Sequence, residues 1–279
     1  MNLSSLPSPT ISGGPYVMGV LNLTPDSFFD GGRWTGEDAV RHALSMIQHG
    51  ADLIDVGGES TRPGAAPVEA REEIDRVTPI IRSLRAQTDK PIAIDTMKPA
   101  VALAAFAAGA TIWNDVMALR APGALETAAQ LKAPVILMHM KGEPRTMQSA
   151  PHYDDVVAEV IAFLKSRIAD AERYGVTELW VDPGLGFGKT LEHNLALMNA
   201  TARIRAETGK PLLFGASRKS FIAKIDGAEA QKGRLGGSMA AALIAAQNGA
   251  DMVRVHDVSE TVQALKVWRA VKDAPNQGA

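Results

Sequence analysis

The chain contains no cysteine. That excludes disulfides, a thiolate zinc site and a cysteine nucleophile. Net charge is nearly absent too, at −2, so no polycationic surface points to nucleic acid as a partner. No apolar run approaches the roughly 20 residues that cross a membrane as a helix. The N-terminal "MNLSSLPSPTISGGP" lacks the basic start and apolar core of a signal peptide. Residues 1–14 therefore read as a flexible leader, and the cytoplasm is the expected compartment. Residues 274–279 read as a frayed tail. Glu192-His193 has no second histidine at zinc spacing, so no zinc site is expected.

What is present is a repeating unit. An amphipathic helical stretch stops at Gly or Pro, and a short β-rich run follows. The runs are "YVMGVLNLT" from Tyr16, "DLIDVGG" from Asp52, "PIAIDT" from Pro91, "TIWNDV" from Thr111, "PVILMHM" from Pro134, "LWVDPG" from Leu179, "PLLFGAS" from Pro211 and "DMVRVHD" from Asp251. Gly50, Gly109, Gly175 and Gly249 sit where helices need a left-handed C-cap. Val40, Ala43, Leu44 and Ile47 have the spacing of one buried helical face, as do Ile74, Val77, Ile81 and Leu84. A long amphipathic helix is expected over 154–174. The β-rich runs are continuously apolar, as parallel strands buried on both faces are. Eight such units, with no linker between them, predict an α/β fold: a single-domain TIM (β/α)8 barrel over residues 15–273. A doubly wound open sheet is the alternative.

One stretch, "VDPGLGFGKT" at 181–190, ends like a phosphate loop. The spacing refuses that reading. G-x-x-x-x-G-K-[ST] needs a glycine where Pro183 stands, and G-x-G-x-x-G needs one where Lys189 stands. Lys189 and Thr190 are expected only to begin the next helix.

Polar residues gather at the C-terminal ends of the runs. Asn22 ends the first; Glu59, Thr61 and Arg62 follow the second; Asp95 ends the third; Asn114-Asp115 the fourth; Met138-His139 the fifth; Asp182 the sixth. Ser217-Arg218-Lys219 follow the seventh, and Arg254 and His256 lie in the eighth. In a barrel those ends share one face, where barrel enzymes place their sites. Helix capping competes as an explanation for Asp95 and for Asn114-Asp115. Asp55 reads as a buried structural carboxylate and His139 as a satisfied core histidine. Acceptors Asp95, Asn114 and Asp182 with Lys219 suit a flat heterocycle rich in N–H groups. Arg62, Arg254 and His256 suit a phosphate or diphosphate. Asn22 is a hard oxygen ligand acceptable to Mg²⁺ held mostly by a substrate's phosphates.

These segments resemble those of the dihydropteroate synthase family. The resemblance lies in "MGVLNLTPDSFFDGG" (18–32), "GADLIDVGGESTRPGA" (50–65), "IDTMKP" (94–99), "WNDV" (113–116), "MHMKGEPRTMQ" (138–148), "VDPGLGFGKT", "FGASRKSFI" (214–222) and "VRVHDV" (253–258), in family order over nearly the whole chain. After "NDV" the chain departs, with "MALR" where the family pattern has a small residue and a glycine. The resemblance implies a transferase that joins para-aminobenzoate to 6-hydroxymethyl-7,8-dihydropterin diphosphate, releasing diphosphate. It implies that Asp95, Asn114, Asp182 and Lys219 hold the pterin, with Met138 and Gly215 at its wall. Asn22, Arg62, Arg254 and His256 match the binders of diphosphate and Mg²⁺. Phe28, Thr61, Pro63, Phe187 and Ser217 match the aminobenzoate pocket, which sulfonamide drugs also address. Asp30, Asp95, Lys219, Arg254 and His256 are the expected catalytic groups, with Arg, imidazolium and Mg²⁺ on the leaving diphosphate. A homodimer is implied, and "GRLGGSMAAALIAA" (233–246) reads either as its interface or as core. The related pterin-binding methyltransferases are the alternative, but they should lack "STRPG" and "SRKSFI". A catalytically silent paralogue is a third reading.

Overall fold

A computed structural model describes residues 6–24, 36–62, 64–143, 145–227 and 233–275. Eight parallel strands follow one another in chain order: β1 (Tyr16–Asn22), β2 (Leu53–Gly57), β3 (Ile92–Asp95), β4 (Ile112–Asp115), β5 (Val135–Met138), β6 (Leu179–Asp182), β7 (Leu213–Phe214) and β8 (Met252–Val255). The sheet runs β6-β5-β4-β3-β2-β1-β8-β7. A single parallel bridge, Val181 to Leu212, joins β6 to β7 and closes the ring. This is the TIM barrel the repeat predicts, not an open sheet.

Helices cover the outside: α1 (Gly36–Gln48), α2 (Ala70–Arg85), α3 (Pro99–Ala108), α4 (Ala124–Leu131), α5 (Val156–Arg173), α6 (Leu191–Asn199), α7 (Thr201–Thr208), α8 (Ser220–Asp226), α9 (Leu235–Gln247) and α10 (Val258–Asp273). The long helix expected over 154–174 is α5. Asp155 caps it, its carboxylate accepting from the backbone N–H of Val157 and Ala158 at 3.0 Å each. Such a cap contributes about 1 kcal/mol. On α2, Val77, Ile81 and Leu84 are buried as the periodicity requires, and Ile74 is partly buried against them. All four expected C-cap glycines adopt positive φ. No helix among the described residues is long and apolar enough to cross a membrane.

The strands look uniformly apolar because they have two apolar faces. Outward residues such as Val17, Ile54, Ile94, Leu137 and Val181 pack in one large cluster with the helices. Inward residues form a separate, smaller cluster of Tyr16, Met18, Leu53, Ala93, Ile112, Ile136, Trp180, Leu213 and Met252. Every strand contributes to it. This cluster fills the N-terminal half of the barrel, as in barrels whose interior is packed rather than open.

From Leu6 on, the expected leader lies against the barrel. Leu6 packs on the inner cluster and Ile11 is buried. Asp52 accepts from Thr10 through its N–H at 2.7 Å and its hydroxyl at 2.6 Å, and from the N–H of Val17 at 2.8 Å. Arg269 of α10 donates to the carbonyl of Gly13 at 2.8 Å.

Candidate active site

Side chains alternate along a strand, so the residue two places beyond an inward residue also points inward. Taking that step from the apolar cluster gives the site. Leu53 leads to Asp55, Ala93 to Asp95, Ile112 to Asn114, Ile136 to Met138, Trp180 to Asp182, Leu213 to Gly215 and Met252 to Arg254. The barrel thus changes from apolar to polar within one inward step.

These groups are bonded across the barrel. Arg254 donates from Nε to Asp55 at 2.6 Å and from Nη2 to Asp95 at 2.8 Å. Asn114 donates from Nδ2 to the same Asp55 oxygen at 3.1 Å. That bond leaves the Asn114 carbonyl oxygen as an acceptor for something else. Asp182 accepts from the N–H of Gly184 at 2.7 Å. At Gly215 a Cβ would stand 3.7 Å from Asp182 and 3.9 Å from Arg254, so a side chain there would grow into the pocket. Asp55 Oδ1 and Asp95 Oδ1 are buried and have no hydrogen-bond partner. Two carboxylates with spare acceptor capacity, an amide oxygen and Asp182 therefore surround one space.

Above them opens a cavity of about 1180 Å³, lined by Asn22, Thr61, Arg62, Ser217, Lys219 and His256 among others. Lys219 Nζ lies 4.1 Å from the centre of the Phe187 ring. Phe187 shares an apolar wall with Val116, Met138, Met140 and Met147. Ser217 Oγ is 3.1 Å from His256 Nδ1 and accepts the backbone N–H of His256 at 3.2 Å. Thr61 is half-buried and Arg62 exposed at the rim.

Burial dominates the electrostatics here. It pushes the Asp95 carboxyl up to about 7, with Asp55 adding to the shift and Arg254 opposing it. It pushes Asp182 up to about 6 against the pull of the Gly184 N–H, Lys219 and Arg254. Lys219 is lowered to about 8 by burial and by Arg254, while Asp182 and Asp95 resist. Burial alone would lower Arg254, but Asp55 and Asp95 more than offset it and hold the guanidinium charged. His256 is lowered to about 3 by burial and by the neighbouring Arg254, Arg218, Lys219 and Arg62.

Pterin binding enzymes form the family that matches the chain, over residues 18–256. The dihydropteroate synthase of Escherichia coli (strain K12) is 49% identical over 263 residues, covering 93% of each chain. The solved dihydropteroate synthase of Xanthomonas albilineans with 4-aminobenzoic acid is 53% identical, with a TM-score of 0.88 over 94% of each chain. A structure of the same bacterium's enzyme with 7,8-dihydropteroate is 50% identical, with a TM-score of 0.85 over 94% of this chain and 95% of that one. The chain belongs to the dihydropteroate synthase family.

Of the residues that the family resemblance singles out, Asp95, Asn114, Met138, Asp182, Gly215, Lys219 and Arg254 converge in the barrel, and Asn22, Thr61, Arg62, Phe187, Ser217 and His256 stand around its mouth. Phe28, Asp30 and Pro63 lie outside the described residues. Asp95 caps no helix: it faces Arg254, and the turn into α3 is held by Thr96, which accepts from the N–H of Lys98 at 3.2 Å. Asp115 caps no helix either: it accepts from the N–H groups of Met117 and Leu119 at 2.8 Å each in the turn after β4, whereas α4 begins only at Ala124, with Gly123 at its N-cap.

Several residues with a part in the site escape sequence reading. Asp55 is the buried structural carboxylate expected, and what the sequence does not show is that it orients both Arg254 and Asn114. Glu59 bonds Lys98 at 2.8 Å and accepts the N–H of Val68 at 2.9 Å, and Lys98 also bonds the buried Glu73 at 2.6 Å. That triad braces the stem of the loop carrying Thr61 and Arg62. Beyond β4, where this chain departs from the family pattern, Ala118 and Leu119 both adopt positive φ. Arg167 steadies them, donating to their carbonyls at 2.8 and 3.2 Å. Thr190 caps α6 together with His193, a residue to which sequence pattern assigns no role. Lys189 does more than begin that helix: it is buried beneath its own loop.

Proposed function

We propose that this barrel mouth binds the pterin of 6-hydroxymethyl-7,8-dihydropterin diphosphate in its polar layer and para-aminobenzoate beside Phe187. The observation that carries this reading is the gathering of Asp95, Asn114 and Asp182, buried groups with acceptor oxygens, about Arg254 and Gly215, with Lys219 on the cavity above them. A pterin edge presents amino and ring N–H groups to such a set. The relatives solved with 4-aminobenzoic acid and with 7,8-dihydropteroate support the same pair of ligands.

The bond between the pterin methylene and the diphosphate oxygen breaks, and its electron pair leaves with diphosphate. The amine lone pair of para-aminobenzoate then forms the new C–N bond, and the amine gives up one proton. Positive charge develops at the methylene carbon as the leaving group departs. We assign the stabilisation of that charge to the Asp95 carboxylate, since electrostatic stabilisation of this kind usually contributes most to catalysis. Asp30 is proposed for the same role. Arg62 and Arg254 supply positive charge toward the diphosphate, and His256 stands beside them as a further hydrogen-bonding group. Ser217 and Thr61 would hold the aminobenzoate, with Phe187 against its ring. The amine is already nucleophilic, so no strong base is needed.

The donor set also fits Mg²⁺ that arrives on the substrate. Asn22 is one hard oxygen ligand, half-buried at the mouth. Among the described residues no group of three carboxylates or histidines could hold a metal by itself. Bound there, the ion would neutralise the diphosphate oxygens. A homodimer is proposed through α9 and α10. The small residues Ala241, Ala242, Ala245 and Ala246 of α9 are buried in core, while Leu235, Ile244, Val267 and Val271 are exposed. Sedimentation of the purified chain tests this.

The reaction is tested by diphosphate release from the dihydropterin diphosphate with Mg²⁺, with and without para-aminobenzoate. Release that depends on para-aminobenzoate, together with dihydropteroate formation, is expected. Pterin binding without release would overturn the catalytic reading.

A further inference from the structure

We propose that Lys189 is a positioning residue, which holds the Phe187 wall of the aminobenzoate pocket by tying the loop after β6 to the exit of β5. The inference rests on the reading of Phe187 just given. Lys189 is 2% exposed, among the largest fully buried side chains. Burial lowers its ammonium to about 7 against the pull of Asp182, and a buried amine is costly unless its polar neighbours satisfy it. They do. Nζ is 2.8 Å from the carbonyl of Gly184, 3.0 Å from that of Phe187 and 2.9 Å from His139 Nδ1. The first two acceptors belong to the loop that carries Phe187, and the third to the strand exit beside it.

The surroundings show what this tie is for. Loop and strand exit touch so closely that a Cβ on Gly184 would stand 1.8 Å from the carbonyl oxygen of His139, and one on Gly188 2.5 Å from that of Lys141. Both glycines have positive φ, and four carbonyls of this loop meet side-chain donors. Each of those carbonyls needs a donor. Gln148 supplies Gly186 at 2.6 Å and Tyr153 supplies Gly188 at 2.9 Å. Lys189 supplies the carbonyls of Gly184 and Phe187 and reaches across to His139 as well. Burial, and Lys189 itself, hold the His139 ring down to about 2, so the ring meets Lys189 as an uncharged partner. The loop so fixed sets the Phe187 ring against Lys219 Nζ, and Gly186 against the Lys219 stem. The lysine of this near-miss phosphate motif therefore binds its own backbone.

The test is a double-mutant cycle in steady-state turnover. Lys189→Met keeps the length and removes the donors. Its KM for para-aminobenzoate should rise on the order of 10- to 100-fold, as misplacement by about 1 Å does, while the KM for dihydropterin diphosphate changes little. In a Phe187→Leu background the same substitution should add no further loss, since coupled residues are not additive. Additive losses, or a lowered Tm with both KM values unchanged, would overturn the proposal. If Lys189→Met does not fold, Lys189→Gln, with one amide donor group, takes its place in the cycle. A wild-type chain without turnover would overturn the reaction reading instead; the cycle is then read by equilibrium binding of para-aminobenzoate in the presence of diphosphate and pterin, with the same two outcomes.

Discussion

Leu53 and Asp55 enter the same barrel from the same strand, two residues apart, and both are wholly buried. Leu53 packs among eight other apolar side chains, one or two from each strand. Asp55 faces Arg254 and Asn114 and keeps one oxygen without a partner. The lower set does what a core does: it removes apolar surface from water and asks nothing of its neighbours but shape. The upper set stores cost. Carboxylates are desolvated there, acceptors are left open, and two charges of one sign share one guanidinium. Such an arrangement persists because the lower layer and the helices hold it in place. Stability and chemistry are thus separated by about 7 Å of strand, at the usual rise per residue.

Substitutions should separate the two layers as cleanly. The largest effect is expected from Lys219→Ala, which removes the charged donor at the top of the pocket. Turnover should fall roughly 10²- to 10³-fold, as when one preorganised electrostatic donor is lost, with circular dichroism and Tm near wild type. Normal turnover would remove Lys219 from the site. The opposite pattern is expected below. Ile136→Ala should lower unfolding stability by about 2–5 kcal/mol through the cavity it leaves, with kcat at low temperature unchanged. A matching loss of kcat in the cold would mean that the two layers are not independent.

The pH dependence sharpens the comparison, because within the upper layer stability and function want different protonation states. Asp95 is raised to about 7 from an ordinary 3.8. Its contribution to stability is therefore full below about 3.8 and lost as pH rises through about 7. As a pterin acceptor it must be ionised, so activity should gain where that stability is lost. The profile of kcat/KM for the pterin substrate should climb between about pH 6 and 7, where Asp182 and Asp95 ionise, and fall above about 8, where Lys219 loses its proton. Its limbs belong to the coupled set rather than to single residues. A flat profile across roughly pH 5 to 9 would show that these groups do not control binding. Asp182→Asn should show the same trade-off at about pH 8: activity lost, stability equal or higher by about 1–2 kcal/mol, as when a strained site is relaxed.

The barrel is legible in the sequence because its repeat is coarse: eight strand–helix units need only hydrophobic runs and glycine stops. The site residues at strand ends are legible for the same reason. Asp55 is legible only as a buried carboxylate; its place beside Arg254 and Asn114 is not, because it stands mid-strand in "LIDVG", where both faces are buried and the alternation is hidden. Stepping by two from Leu53, as from Ala93 to Asp95, would find it. Lys189 is hidden by its motif, which invites a ligand for the ammonium when the acceptors are carbonyls two and five residues back. His256 is placed at the mouth by its strand, but the four cations around it are not legible together, since they come from three different segments of the chain.

The smallest effect expected is also the one that discriminates most finely inside the mouth. Ser217 is assigned to the aminobenzoate, yet its hydroxyl is 3.1 Å from His256 Nδ1 and also accepts the backbone N–H of His256. Ser217→Ala deletes one hydrogen-bonding group, worth about 0.5–1.5 kcal/mol, or a few-fold in a binding constant. If the hydroxyl serves the aminobenzoate, the KM for that substrate rises and the KM for dihydropterin diphosphate stays. If its main duty is to hold His256, the ring is released and the KM for the diphosphate substrate rises as much or more. The two results assign the same oxygen to different halves of the reaction.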